Sequence, residues 1–150
     1  MGELRFGLLG PFEARLDGRP LTIPGAAERA LLALLLLSPG RAVPATSLID
    51  RLWAESSLPT DPVNALQLRV SKLRRALAPA GPEIIQRVGM GYLTAVDPSS
   101  VDAELFEQQV RRARAELAAT SDPPTPDHLR QYDEALGLWR GDALAAFTAE

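Results

Sequence analysis

Along the first 24 residues, apolar and polar positions alternate with the two-residue period of a half-buried strand. Leu4, Phe6 and Leu8 alternate with Arg5 and Gly7, and Phe12, Ala14 and Leu16 with Glu13 and Arg15. Gly10-Pro11 breaks the first run, Asp17-Gly18 is a two-residue hairpin signal, and Leu21 and Ile23 continue the pattern. A small antiparallel sheet is predicted. The period then changes. Ala26 to Leu37 is apolar nearly all round, which predicts a helix at the centre of a core, stopped by Ser38-Pro39-Gly40. A second helix is predicted over Ala45 to Ala54, with Leu48, Ile49, Leu52 and Trp53 on one face. Its start has two readings: Ser47 with Asp50 fits a capping box, and Pro44 fits a first helical residue.

Glu55, Ser56, Ser57, Leu58, Pro59 and Thr60 read as a connecting loop. Asp61-Pro62 is a cap followed by a first-turn proline. The third helix that it opens runs to about Ala78 on an apolar stripe of Val63, Leu66, Val70, Leu73 and Leu77. Ile84-Ile85 and Tyr92 to Val96 read as strands of a hairpin around Gly89-Met90-Gly91. A Gly-x-Gly can cradle phosphate, but that use needs a strand leading into a helix, and this one leads into a strand. Tyr92 is expected to pack rather than stack on a base. Beyond Val96 the helical period returns. Asp102 is expected to cap a helix to about Ala119, with Phe106, Val110, Ala113 and Leu117 on one face and a Glu107–Arg111 pair. Asp122 to Pro126 reads as a linker. A further helix from Pro126 carries Leu129, Tyr132, Leu136 and Trp139 and is closed by Gly141, and another opens at Asp142.

Strands, three helices and a hairpin, in that order, are the plan of an α+β winged helix-turn-helix, with the third helix as reader and the hairpin as wing. On a wheel of 100° per residue, Asn64, Leu68, Lys72 and Arg75 lie opposite the apolar stripe. Gln67 and Ser71 flank them, and Arg69 borders the other side. Amides early and cations late suit groove reading: amides and arginine for base edges, lysine and arginine for phosphates. Asn64, Gln67, Leu68 and Ser71 are therefore the base-edge candidates, and Arg69, Lys72, Arg75 and the hairpin's Arg87 the phosphate candidates.

The chain has 150 residues and a formal net charge of −3, which argues against a polyanionic partner. The distribution reverses that. Residues 1–97 carry eleven basic and nine acidic residues, residues 98–150 five and ten. Residues 63–87 hold five basic residues against the single acid Glu83. A local patch outweighs the total because screening limits charge attraction to about a Debye length. Two modules are expected, 1–97 and 98–150. With no cysteine, thiolate zinc sites and cysteine nucleophiles are excluded. His128, the one histidine, sits at a helix start, where a capping or surface role is expected. The acidic residues are scattered without metal-ligand spacing, so neither catalysis nor a cofactor is expected. The longest apolar run, Ala30 to Leu37, is eight residues, too short for a membrane span, and no apolar stretch follows Met1-Gly-Glu-Leu-Arg5. A cytoplasmic protein without membrane contact is expected. A protein-interaction adaptor is the rival to a DNA reader.

Residues Leu21 to Val96 resemble the OmpR-type winged helix, and the whole chain resembles the N-terminus of the Streptomyces antibiotic regulatory protein (SARP) family. Four stretches carry this: Phe6-Gly-Leu-Leu-Gly-Pro11, Arg29-Ala-Leu-Leu-Ala-Leu-Leu-Leu-Leu37, Leu48-Ile-Asp-Arg-Leu-Trp53 and Asn64-Ala-Leu-Gln-Leu-Arg-Val-Ser-Lys-Leu-Arg-Arg-Ala-Leu77. Gly91-Tyr92-Leu93 and Val101-Asp102 follow in place, and Trp139-Arg140-Gly141 resembles a motif of the adjoining tetratricopeptide-like bacterial transcriptional activation domain. The resemblance implies an activator that binds promoter direct repeats in double-stranded DNA, as tandem protomers or a homodimer on DNA. It also implies recruitment of RNA polymerase, with the 55–60 loop facing it, and control of secondary-metabolite genes. Ala27-Glu28 stand where such regulators often carry Lys-Gln, so a phosphate contact is expected to be missing there, with Glu28 repelling the backbone. The family's activation domain is also longer than residues 98–150.

Overall fold

The computed structural model describes residues 3–54, 56–119 and 123–143. Strands β1 (Leu4–Gly7), β2 (Glu13–Leu16) and β3 (Arg19–Pro20) form an antiparallel sheet in the order β1-β2-β3. The β2–β3 turn is Asp17-Gly18, at φ 53° and 79°. Asp17 is tied to the chain start, its Oδ1 accepting from the Glu3 N–H at 2.7 Å. The sheet is shorter than the alternation predicts. Pro20 has no N–H to continue the ladder, so after one more backbone bond, Leu21 N–H to the Ala14 carbonyl at 2.8 Å, the chain leaves the edge. Ile23, expected in a strand, instead turns its side chain into the core.

Helix α1 (Ala26–Leu36) is the centre of that core. Leu31, Leu32, Leu35 and Leu36 have no exposed surface, while Leu37, just past the helix, is half exposed. Strand β4 (Val43–Pro44) runs directly into helix α2 (Ala45–Leu52), with Pro44 as the cap residue. The Ser47–Asp50 capping box does not form, because Ser47 lies inside the first turn. The orphan N–H of Ala45 is instead satisfied by the Met90 carbonyl of the hairpin at 2.9 Å. Helix α3 (Pro62–Ala76) opens as expected, with Asp61 accepting from the Asn64 N–H at 3.1 Å. Leu66, Val70, Leu73 and Leu77 are buried. Val63, placed on the same stripe by its spacing, is 54% exposed, because the first turn projects past the body that α1 provides.

Strands β5 (Ile85–Val88) and β6 (Gly91–Thr94) form the hairpin, and β4 joins it to give the order β4-β6-β5. Its turn is only Gly89-Met90, with Gly89 at φ 56°. Gly91 is already in the ladder and is needed for another reason: a Cβ there would meet the Val43 carbonyl, whose carbon would lie 2.9 Å away. Tyr92 packs into the core as expected.

Helix α4 (Asp102–Ala118) follows a short turn in which the Asp97 carboxylate accepts from the Ser99 hydroxyl and N–H at 2.7 and 2.8 Å, which lowers its pKa. Asp102 is the first residue of α4, not its cap, and Val101 holds the cap position. The Asp102 carboxylate reaches back to β1's end and accepts from the Leu8 and Leu9 N–H groups at 2.7 and 3.1 Å. Glu107–Arg111 is not among the ion pairs formed by the described residues.

Helix α5 (Pro126–Leu136) is capped by Thr125 and His128 in a reciprocal box: the His128 N–H donates to the Thr125 side chain, and the Thr125 N–H to His128 Nδ1 at 3.0 Å. His128 therefore caps, as expected. The inward face is not the expected one. Leu129 and Leu136 are 63% and 58% exposed, and the buried residue is Ala135. The most buried residue of α4, which packs against α5, is likewise an alanine, Ala113. The helix ends at Gly137 rather than Gly141, and Trp139, beyond it, sets its ring edge-on against Phe106 at 5.7 Å. The expected linker lies partly outside the described residues, as does most of the helix expected from Asp142.

Two substitutions test this architecture. Asp102→Ala should cost about 2–4 kcal/mol in chemical denaturation, because it strands two buried N–H donors. Gly91→Ala should cost about 1–3 kcal/mol, because β4 must give way.

Candidate nucleic-acid interface

Helix α3 is held on three sides. Its stripe of Leu66, Val70 and Leu73 lies against α1 and α2. At its C-terminal half, Arg74 Nε donates to the Ile85 carbonyl at 3.2 Å, which ties the helix to the base of the hairpin. The hairpin tip is tied in turn to the start of α2 by the Met90–Ala45 bond. Helix α3 and the hairpin are thus braced as one unit by backbone carbonyls. Neither Arg74 nor Met90 was singled out by the sequence, because each acts through a group that periodicity does not report. Met90 is also 84% exposed at the wing tip.

The remaining side of α3 faces solvent. Asn64, Gln67, Leu68, Ser71, Lys72 and Arg75 are all exposed on it. Leu68 is 56% exposed, a branched apolar side chain in the middle of a polar face. Arg87 is exposed on β5, opposite Tyr92 in the ladder. Arg69 is placed differently from the other cations. It is half-buried, and its guanidinium carbon lies 4.0 Å from the centre of the Trp53 ring, a cation–π contact. Trp53 was read from the sequence only as an apolar member of α2's inner face; the pairing needs both helices in place.

Lys72 and Arg75 also border an open cleft of about 600 Å³ with Thr22, Pro24, Gly25 and Glu28. Glu28, expected to oppose a phosphate, is buried and folded back over Gly25 in the first turn of its own helix. A carboxylate is favoured there by the N–H groups of the helix end. Arg29 is used structurally, donating to the Ile23 and Pro24 carbonyls at 2.8 and 3.2 Å. In the loop before α3, Ser56, Ser57, Leu58 and Thr60 are exposed and Pro59 is half-buried; Glu55 lies outside the described residues. No group of three or more His, Cys, Asp or Glu side chains that could hold a metal occurs among the described residues. None of the described helices is long and apolar enough to cross a membrane.

Two family models match the chain. One, described as "Transcriptional regulatory protein, C terminal", covers residues 19–94, half of the chain. The other, "Bacterial transcriptional activator domain", covers residues 101–150. Among curated relatives, the regulatory protein AfsR of Streptomyces coelicolor is 35% identical over 96% of this chain, and the regulatory protein DnrI of Streptomyces peucetius is 32% identical over 94%. The matches span 14% and 53% of those proteins' own lengths. Among solved structures, that of Mycobacterium tuberculosis EmbR, in complex with a low-affinity phosphopeptide, superposes with a TM-score of 0.82 at 28% identity, over 97% of this chain and 38% of EmbR. The three helices and wing, followed by a segment that matches the bacterial transcriptional activator domain, place this chain in the transcriptional regulatory protein, C-terminal family, among regulators of the SARP type.

Proposed function

We propose that the chain is the DNA-reading part of a transcriptional activator, with residues 1–97 binding promoter DNA and residues 98–150 beginning the activation domain. The observation that carries this is the outward face of α3, where two amide side chains, a serine, an exposed leucine and two unpaired cations share one side of a braced helix. In a major groove, Asn64, Gln67 and Ser71 supply donors and acceptors for base edges, and Leu68 supplies apolar contact for a thymine methyl. Lys72, Arg75 and Arg69 supply phosphate contacts along the same helix, and Arg87 supplies one from the wing. The acidic surplus of residues 98–150 turns that half away from the duplex. Relatives named as regulatory proteins support a regulator, and on this reading it activates secondary-metabolite genes in the cytoplasm without catalysis or cofactor. On this reading two protomers sit in tandem on a direct repeat, and the 55–60 loop, whose Leu58 is 60% exposed, meets RNA polymerase.

Selection of bound duplexes from a random library tests the reading. A short motif in direct repeat, spaced by about one helical turn, is expected. A single half-site keeps the DNA function and removes the tandem arrangement; no enrichment from a folded sample favours the adaptor. On enriched duplexes, Lys72→Ala and Arg75→Ala should each flatten the log–log salt dependence of binding by about 0.9. The two faces of α3 should also separate by stability. Leu66→Ala is expected to cost about 2–5 kcal/mol. Asn64→Ala, Gln67→Ala and Leu68→Ala should stay within about 0.5 kcal/mol of the parent in thermal unfolding while changing the enriched motif.

A further inference from the structure

Two arginines are half-buried among the described residues, Arg29 and Arg69, and they are used in opposite ways. Arg29 spends its donors on two backbone carbonyls. The Arg69 side chain makes no hydrogen bond or ion pair with any described residue; its guanidinium carbon lies over the Trp53 indole, 4.0 Å from the ring centre. A guanidinium stacked on a ring uses its π face and leaves its in-plane N–H donors open. None of its nitrogens is among the buried, unpartnered side-chain atoms of the described residues, so the donor edge stays open to solvent and free to take an acceptor. A backbone phosphate fits, since it can take two parallel N–H bonds from one guanidinium. Lys72 lies three residues further along α3, on the adjoining ridge.

Trp53 is well placed to act as a fixed seat. It ends α2, its N–H donating to the Ile49 carbonyl at 3.1 Å, and its own carbonyl accepts from the Ser56 N–H at 3.3 Å. The backbone that carries the indole is thus fixed at the end of the helix that α3 packs against. We infer that Trp53 is a positioning residue of the DNA interface: its ring holds the Arg69 guanidinium flat, with the donor edge free to take one backbone phosphate. The inference rests on the DNA-binding reading. It adds that Arg69 binds preorganised, so that part of the ordering cost of a long side chain is met before DNA arrives.

The test uses the whole chain and duplexes it enriches from a random library, titrated from low to high salt. Arg69→Ala and Trp53→Leu should each flatten the log–log slope by about 0.9, which weakens binding about 8-fold near 0.1 M salt and leaves it almost unchanged near 1 M. The double variant should lose no more than either single one, and Trp53→Phe, which keeps an aromatic face, should hold the parental slope. A parental slope in Arg69→Ala overturns the inference. So does a loss in Trp53→Leu that is equal at all salts, the mark of a structural role, or an additive double variant. Should Trp53→Leu fail to fold, fluorescence decides. The chain has two tryptophans, so Trp139→Phe leaves Trp53 as its one indole. Saturating duplex should change its emission, and Arg69→Ala in that background should abolish the change; the same change in both overturns the inference. If the parent enriches no duplex, the DNA-binding reading falls and this inference with it, an outcome distinct from a parent that binds with an unaltered Arg69→Ala slope.

Discussion

The rest of the structure depends on one constraint: α1 has almost no polar surface. Four leucines of this helix are shut off from solvent completely, and each contributes about 1.5–3 kcal/mol by burial. A helix so apolar must be covered on nearly every side, and the chain covers it with α2, α3 and β6. That demand sets which face of α3 turns inward. Once Leu66, Val70, Leu73 and Leu77 are committed to the core, Gln67, Ser71, Lys72 and Arg75 between them have only solvent to face. The candidate interface is thus the complement of the core.

Rigidity comes from a second, smaller set of bonds made by backbone carbonyls. Arg74 joins α3 to the wing's base, and Met90 joins the wing's tip to the start of α2. Each bond joins two elements that are separate in sequence. Gly91 lets β4 and β6 approach closely enough for the second bond to form. Groove reading needs the helix and wing presented at a constant separation, since a misplaced side chain loses its base-edge geometry.

A polar clasp joins the N-terminal sheet to the helices that follow the wing. Asp102 accepts from two successive N–H groups just past β1, and the Arg140 N–H donates to the Leu9 carbonyl at 2.8 Å. The Arg140 guanidinium donates to the Pro11 carbonyl at 3.0 Å and lies 3.6 Å from both Glu13 and Asp102. A Cβ at Gly7 or Gly10 would crowd that side chain. Two motifs of the sequence, Phe6 to Pro11 and Trp139 to Gly141, are therefore halves of one contact. Its carboxylate–backbone bonds are partly buried and resist salt better than the exposed pairs elsewhere.

The α3 stripe, the Asp61-Pro62 opening, the Asp17-Gly18 turn and the His128 cap were all legible in the sequence, as was the outward face of α3. Each depends on spacing or on groups within a few residues of one another. The misreadings share a cause. Val63 was assigned to the core because periodicity does not say where the body beneath a helix ends. Leu129 and Leu136 were assigned to it because large side chains outrank alanine until a neighbouring helix is close enough to favour Ala135. Asp102 was read as a local cap when its acceptor oxygens serve two N–H groups just past β1, more than ninety residues earlier. The sequence by itself determined the elements, their order and the chemistry of the outward face of α3. Only the tertiary structure decided which cation is seated on an aromatic ring, which carbonyls brace the wing and which carboxylate holds the two halves together, because those partners lie on separate elements and meet only once α1 has been buried.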